Sequence, residues 1–246
     1  MHRLLVDTDL LSADAPALPP AAARHLKVLR PEPGEDVELF DGKGRWRVYS
    51  WRNAAGLAAA GPVRESPRPS PLVLFACVTK GSRWDWTVEK AVELGVTRIV
   101  PVLSDRTIVR IPRGERAAKR ERWLRVAEDA ARQSDAKWLP DIDEATDFRD
   151  SLALVRDTAC FVGALSNPPP PPLLEAIRAA KVAPSRPPAV YVGPEGDFTP
   201  AELAALLEIA TPASFGPNVL RAETAAIFAV GVVAAAMPVF WYNTSK

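Results

Sequence analysis

Three short segments concentrate the residues that could do chemistry. They are Gly163-Ala164-Leu165, Gly193-Pro194-Glu195-Gly196, and the run Phe215-Gly216-Pro217-Asn218-Val219-Leu220-Arg221-Ala222-Glu223-Thr224-Ala225. Glycines at the ends of strands let a main chain approach a ligand closely. A glycine loop between a strand's carboxyl end and a helix N-terminus is where α/β proteins bind ligands. Each segment also has a plain structural reading. Gly-Pro-Glu-Gly makes a tight turn in any protein. Arg221 and Glu223 could form a surface ion pair, or Glu223 could simply favour a helix N-terminus through the macrodipole. Several other chemistries lack their motifs. No GxGxxG follows a strand, which argues against a nicotinamide or nucleotide enzyme. No GxxxxGK[ST] and no GxSxG occur. The cysteines are Cys77 and Cys160 and the histidines are His2 and His25, with no CxxC or HExxH, so no metal is expected.

The elements that must hold these segments read as α/β. Leu72-Val73-Leu74-Phe75-Ala76-Cys77-Val78 is a continuous apolar run, the pattern of a strand covered on both faces. A helix follows, with Trp84, Val88, Ala91 and Val92 on one face and Gly95 as its stop. Ile99–Leu103, Asp157–Val162 and Ala189–Val192 read as further strands. A helix carrying Trp123, Val126, Ala127, Ala130 and Ala131 lies between the first two of these. Thr199, Pro200 and Glu202 form an N-cap, a first helical position and a capping box directly after the Gly193 loop. Alternation of this kind implies a mostly parallel sheet.

Residues 1 to about 70 read as a separate small β domain, and 71–246 as the larger one. Val37–Phe40 and Trp46–Trp51 alternate around Asp41-Gly42-Lys43-Gly44, which is a hairpin. Ala21–Arg30 is a short basic helix before it. Gly61–Pro71 reads as a stiff polar linker. The 25 prolines, about twice the usual share of roughly 5%, fall between apolar segments. Pro168–Pro172 reads as an extended loop beside a ligand or as a surface spacer.

The net charge is +1, yet Arg106, Arg110, Arg113, Arg116, Lys119, Arg120, Arg122 and Arg125 face only Glu115 and Glu121 in the same stretch. Such a block can bind phosphate, and it can equally be a solvated helix face. The two cysteines sit in apolar runs, as buried free thiols in a reducing compartment do. The start, MHRLLVDTDL, lacks the apolar core of a signal peptide. Ala225–Tyr242 is apolar throughout but alanine-rich and broken by Pro238, so it reads as a buried C-terminal helix suited to a subunit interface.

Taken together, the motifs resemble a known family. Val78-Thr79-Lys80-Gly81-Ser82-Arg83, Gln133-Ser134, Val192–Gly196 and Gly216–Ala225 are similar to the signature blocks of bacterial small-subunit (16S) ribosomal RNA uridine-N3 methyltransferases of the SPOUT superfamily. Arg24–Arg30, Leu39–Gly42 and Glu89–Gly95 match as well, so the resemblance spans nearly the whole chain. It implies a PUA-like β-barrel followed by a SPOUT α/β domain with a C-terminal trefoil knot. It implies S-adenosylmethionine as cofactor, a homodimer, a cytoplasmic setting, and small-subunit ribosomal RNA as partner and substrate. Ala164, Leu165, Gly193, Glu195, Gly196, Phe215, Gly216, Val219 and Leu220 would hold the cofactor. Arg221 and Glu223 would be the catalytic pair. Arg24, Lys27, Arg30, Lys80, Arg83, Arg132 and Gln133 would meet RNA.

Methyl transfer from a sulfonium needs alignment and a free lone pair more than a covalent step. The N3 proton of uridine must leave, and the resulting charge spreads to the flanking carbonyl oxygens. Arg221 is the candidate cation to stabilise it. Three positions depart from the family pattern. Asp197 replaces the last glycine of Gly-Pro-Glu-Gly-Gly. Asp135-Ala136 replaces Gly-Arg after Gln133-Ser134, with loss of a positive charge. Ala222 replaces a threonine. The alternatives are another SPOUT specificity, such as a ribose 2′-oxygen, or a non-catalytic RNA-binding ribosome-assembly protein.

Overall fold

The computed structural model describes residues 1–53, 56–166, 168–180, 182 and 186–236. Residues 237–242, the end of the apolar C-terminal segment, lie outside them. The chain divides into two compact units. One comprises Met1–Arg68 and Glu128–Leu139. The other comprises Pro69–Ala127 and Pro140–Lys246.

The smaller unit is built on a five-stranded sheet. Its strands are β1 (His2–Leu5), β2 (Asp36–Phe40), β3 (Arg45–Trp51), β4 (Leu57–Ala59) and β5 (Arg64–Glu65). β1 runs parallel to β2, and β3 pairs antiparallel with β2, β4 and β5. The β2–β3 pair is the hairpin that the Asp41–Gly44 turn announced. Asp41 closes it by accepting hydrogen bonds from the backbone N–H of Lys43 and Arg45. Helix α1 (Pro20–Leu29) contributes Leu26 to a core with Leu4, Leu11, Val37, Leu39, Tyr49 and Leu57. The Gly61–Pro71 stretch is not simply a linker, because Arg64 and Glu65 form an edge strand within it. Trp46 Nε1 and the backbone N–H of Ser66 hold it there by donating to Ser66 Oγ and Gly44 O.

Glu128–Leu139 joins this unit through buried charge. Lys137 pairs with Glu38, and the two side chains are 10% and 2% exposed. Burial raises the Glu38 carboxyl above its usual range, and the Lys137 contact opposes that rise. Arg3 pairs with Asp135 and donates to the Arg132 carbonyl. Gly44 leaves room for Trp138, whose ring would lie 2.5 Å from a Cβ there. Charge alone does not reveal such a partnership between segments a hundred residues apart.

The larger unit holds a seven-stranded sheet. Its strands are β6 (Val73–Cys77), β7 (Arg98–Leu103), β8 (Asp141–Ile142), β9 (Thr146–Asp147), β10 (Ala159–Gly163), β11 (Pro188–Val192) and β12 (Thr211–Ala213). The order is β12-β10-β11-β6-β7-β8, with β9 also on β7, and every pair is parallel. All five residues of β6 and of β11 are buried, as continuous apolar runs require. Helices α2 (Ser82–Glu93), α3 (Arg113–Ser134), α4 (Phe148–Arg156), α5 (Leu173–Ala179), α6 (Pro200–Leu207) and α7 (Ala222–Ala236) complete the order, with the end of α3 belonging to the smaller unit.

At the centre, Phe75 stacks on Tyr191 with ring centroids 5.4 Å apart, and Phe148 and Phe198 pack on Tyr191 at wider angles. The buried Tyr191 hydroxyl is satisfied by Ser151 Oγ at 2.7 Å. Cys77 and Cys160 are buried free thiols, and burial pushes Cys77 up to about 12. Neither is poised as a nucleophile.

The Glu38–Lys137 pair gives a direct stability test. Lys137→Ala leaves a buried carboxylate without its nearest cation and is expected to cost about 3 kcal/mol. Urea unfolding of the whole protein measures the loss.

Candidate active site

Because β12, β10 and β11 are parallel neighbours, their carboxyl ends open on one edge of the sheet. The three glycine-bearing segments leave from those ends. Together they enclose a cavity of about 350 Å³, within the range typical of small-molecule sites. Its wall includes Gly163, Ala164 and Leu165 from the β10 end, and Val192 to Glu195 with Asp197 from the β11 end. Ser214, Phe215, Gly216 and Asn218 to Ala222 come from the β12 end, with Ala225 of α7.

Two glycines fix this geometry. A Cβ at Gly163 would sit 2.7 Å from the Phe215 ring, and one at Gly193 would sit 3.0 Å from the Phe198 ring. A side chain at Gly163 would force the Phe215 ring to shift, and one at Gly193 would press on the Phe198 ring. Gly216, at φ 138, turns the third loop in a conformation that favours glycine. Ser214 Oγ donates to the Gly216 carbonyl at 3.1 Å. Pro171 and Pro172 back this loop. The Ser214 N–H donates to Pro171 O, and the Leu173 N–H donates to Ser214 O. The proline run therefore flanks the cavity wall.

The middle loop is clamped from both sides. Thr199 and Glu202 make the capping box: the Glu202 N–H reaches Thr199 Oγ1, and Glu202 Oε2 accepts from the Thr199 N–H. The other Glu202 oxygen accepts from the Asp105 N–H at 2.8 Å. Arg106 Nη1 donates to the carbonyls of Gly196 and Phe198. Arg106 is a positioning residue that sequence reading missed, since it stood only as one cation in a basic block. That block is largely spent within the larger unit. Arg110 bonds the Ser104 and Asp105 carbonyls, Arg116 pairs with Asp147, Arg120 bonds the Ile142 carbonyl and Arg122 pairs with Asp85. The phosphate-binding reading of the whole block is thereby weakened.

Most of the anticipated cofactor residues come together here. Ala164, Leu165, Gly193, Glu195, Phe215, Gly216, Val219 and Leu220 all line the cavity. Leu165 and Val219 remain 63% and 77% exposed, an apolar rim that a bound ring system would cover. Gly196 lies outside the wall, and a Cβ there would make only an ordinary 3.5 Å contact with Arg106. Arg221 lines the cavity and is exposed. Glu223 does not line it. It is buried in the first turn of α7, with Oε2 lacking a partner. No ion pair joins Arg221 and Glu223 among the described residues.

The anticipated RNA residues are distributed over both units. Arg24, Lys27, Arg30 and Gln133 are exposed in the smaller unit, where Arg132 pairs with Asp129. Lys80 is exposed in the larger unit, and Arg83 Nη1 lies 3.2 Å from Glu195 Oε1 in the cavity wall.

Residues 66–234 match the RNA methyltransferase domain family. A ribosomal RNA small subunit methyltransferase E from Mycobacterium bovis is 32% identical over 84% of this chain and 80% of its own length. The same-named protein of Synechocystis sp. is 29% identical over 94% of this chain and 77% of its own. The chain belongs to the ribosomal RNA small subunit methyltransferase E family. The solved Neisseria gonorrhoeae enzyme of that name, bound to S-adenosylmethionine, superposes with a TM-score of 0.79 at 27% identity, covering 96% of this chain and 97% of that one. A methyltransferase from Legionella pneumophila with the same bound cofactor gives 0.77 at 26%, covering 95% and 97%. The protein is an S-adenosylmethionine-dependent RNA methyltransferase. Its cavity fits that cofactor in character: two glycines press the main chain close, the wall is mostly apolar, and polar groups are few.

Two glycine substitutions separate the roles. Gly163→Ala should displace the Phe215 ring and weaken S-adenosylmethionine binding by about tenfold or more. Gly196→Ala should leave binding within about twofold, since its Cβ meets only ordinary contact. Calorimetry on both variants, with thermal melts to confirm folding, checks the pair.

Proposed function

We propose that the enzyme methylates N3 of a uridine in small-subunit (16S) ribosomal RNA, with the cavity at the ends of β10, β11 and β12 as its cofactor site. The observation that carries this reading is Arg221, an exposed cation in the wall of that cavity. S-adenosylmethionine supplies the methyl group. Gly193, Phe215 and Gly216 would bring main-chain groups to its adenosine, and Leu165 and Leu220 would cover the ring. Arg221 would face the uracil carbonyl oxygens, where negative charge gathers as the N3 proton passes to water; the N3 lone pair then takes the methyl group and S-adenosylhomocysteine leaves. Glu223, buried in the first turn of α7, acts as a positioning residue whose charge suits the helix N-terminus and fixes the turn presenting Arg221.

The target base must leave its stack to reach the cavity, at a cost of a few kcal/mol. Arg24, Lys27 and Arg30 on the smaller unit, with Arg132 and Gln133, hold the RNA backbone. Lys80 and Arg83 serve the same end on the larger unit. The smaller unit acts as a PUA-like barrel, which its five short strands and the α1 helix support. The C-terminal part of the larger unit forms a trefoil knot. In support, α7 leaves the edge strand β12 and packs back on β11, β6, α2 and α5. The enzyme works as a homodimer. Phe228 on α7 and Trp86 on α2 support this, being 41% and 43% exposed. Its setting is the cytoplasm, and no described helix is long and apolar enough to cross a membrane.

The test uses labelled S-adenosylmethionine and unmodified small ribosomal subunits, with nucleosides identified by mass spectrometry. Label in 3-methyluridine is expected, and label in any other nucleoside contradicts the assignment. Arg221→Ala should lower kcat by about a hundredfold or more while cofactor affinity changes far less. Full turnover in that variant would remove Arg221 from the mechanism.

A further inference from the structure

The ionisable residues in the cavity wall are Glu195, Asp197 and Arg221. Glu195 is already matched by Arg83. Arg221 and Asp197 have no ion-pair partner among the described residues. The carboxylate of Asp197 makes a local bond, its Oδ1 accepting from the Phe198 N–H at 2.7 Å. Its backbone lies at φ 59, where glycine is the usual residue. Short polar side chains tolerate that region because they bond locally. Conformation thus accounts for glycine, asparagine or aspartate at this position. It does not account for a negative charge.

We propose that the Asp197 carboxylate is a cofactor-binding group that faces the cationic part of S-adenosylmethionine, its sulfonium or its ammonium. The proposal rests on the reading of this cavity as the cofactor site. The cofactor carries both cations beside one carboxylate; Arg221 can meet the carboxylate but repels the cations, and Asp197 is the unmatched group of opposite sign in the wall. Asp197 supplies the opposite sign on the loop that Arg106 and the capping box hold still. Asp197 is exposed, so the attraction is screened by salt and its strength should fall as ionic strength rises.

Calorimetry with S-adenosylmethionine and S-adenosylhomocysteine tests it, on the wild type, Asp197→Asn and Gly193→Val. Asparagine keeps the left-handed tolerance and can accept the Phe198 N–H, so only the charge is removed. Asp197→Asn should weaken S-adenosylmethionine binding about tenfold. A loss confined to that ligand assigns the sulfonium, because S-adenosylhomocysteine lacks that charge. An equal loss for both ligands assigns the ammonium that they share. Affinity within about twofold of wild type, with no change in its salt dependence, overturns the proposal. Gly193→Val reports on the underlying reading: both ligands should be lost while a thermal melt shows a folded protein. Wild-type binding by that variant would mean that the cofactor sits elsewhere, and Asp197 would fall with the cavity.

Discussion

The site depends on two places where a phenylalanine ring lies against a glycine. Phe215 occupies the space that a Cβ of Gly163 would need, and Phe198 does the same at Gly193. Each contact joins a strand's carboxyl end to the loop that closes the cavity. Close packing leaves no slack for even one methyl group at such a point. The parallel order β12-β10-β11 brings the strand ends side by side, and the ring–glycine contacts then set how the loops stand over them. The Thr199–Glu202 box and the Arg106 guanidinium add a second level of support. The middle loop is therefore held by packing on one side and by charge-assisted hydrogen bonds on the other.

Much of this was legible from residue types. A run such as Leu72–Val78 has the pattern of a strand covered on both faces, and β6 is one. Thr199-Pro200-Glu202 carries its helix start in three side chains. The three glycine segments read as strand-end loops suited to a ligand, and eight of the nine anticipated cofactor residues line the one cavity they enclose. Gly196 is the exception for a clear reason. A glycine in sequence does not say which way its main chain faces, and the Gly196 carbonyl accepts from Arg106 Nη1.

What stayed hidden involves partners distant in the chain. The basic block from Arg106 to Arg125 reads equally as a phosphate-binding patch or a solvated face, yet many of its guanidiniums are engaged by carbonyls and carboxylates of the same unit. A charge count holds no information about such partners. The place of Glu128–Leu139 with the smaller unit depends on the Glu38–Lys137 and Arg3–Asp135 pairs, which bridge long sequence separations. Asp135 and Asp197 are related cases. Both have positive φ, at 66 and 59, and both stand where the resembled pattern has glycine. Aspartate can keep the left-handed turn while adding a charge. At Asp135 that charge meets Arg3 and Lys137.

In the mechanism proposed, one cavity, built from three neighbouring strand ends, holds S-adenosylmethionine. A crystal structure of the protein grown with the cofactor tests this most directly. Density for the whole cofactor is expected between Gly163–Leu165, Gly193–Glu195 and Phe215–Leu220, with its methyl group open toward Arg221. Density in another groove, such as the larger one lined by Arg110, Arg116 and Arg149, with this cavity empty, would contradict it.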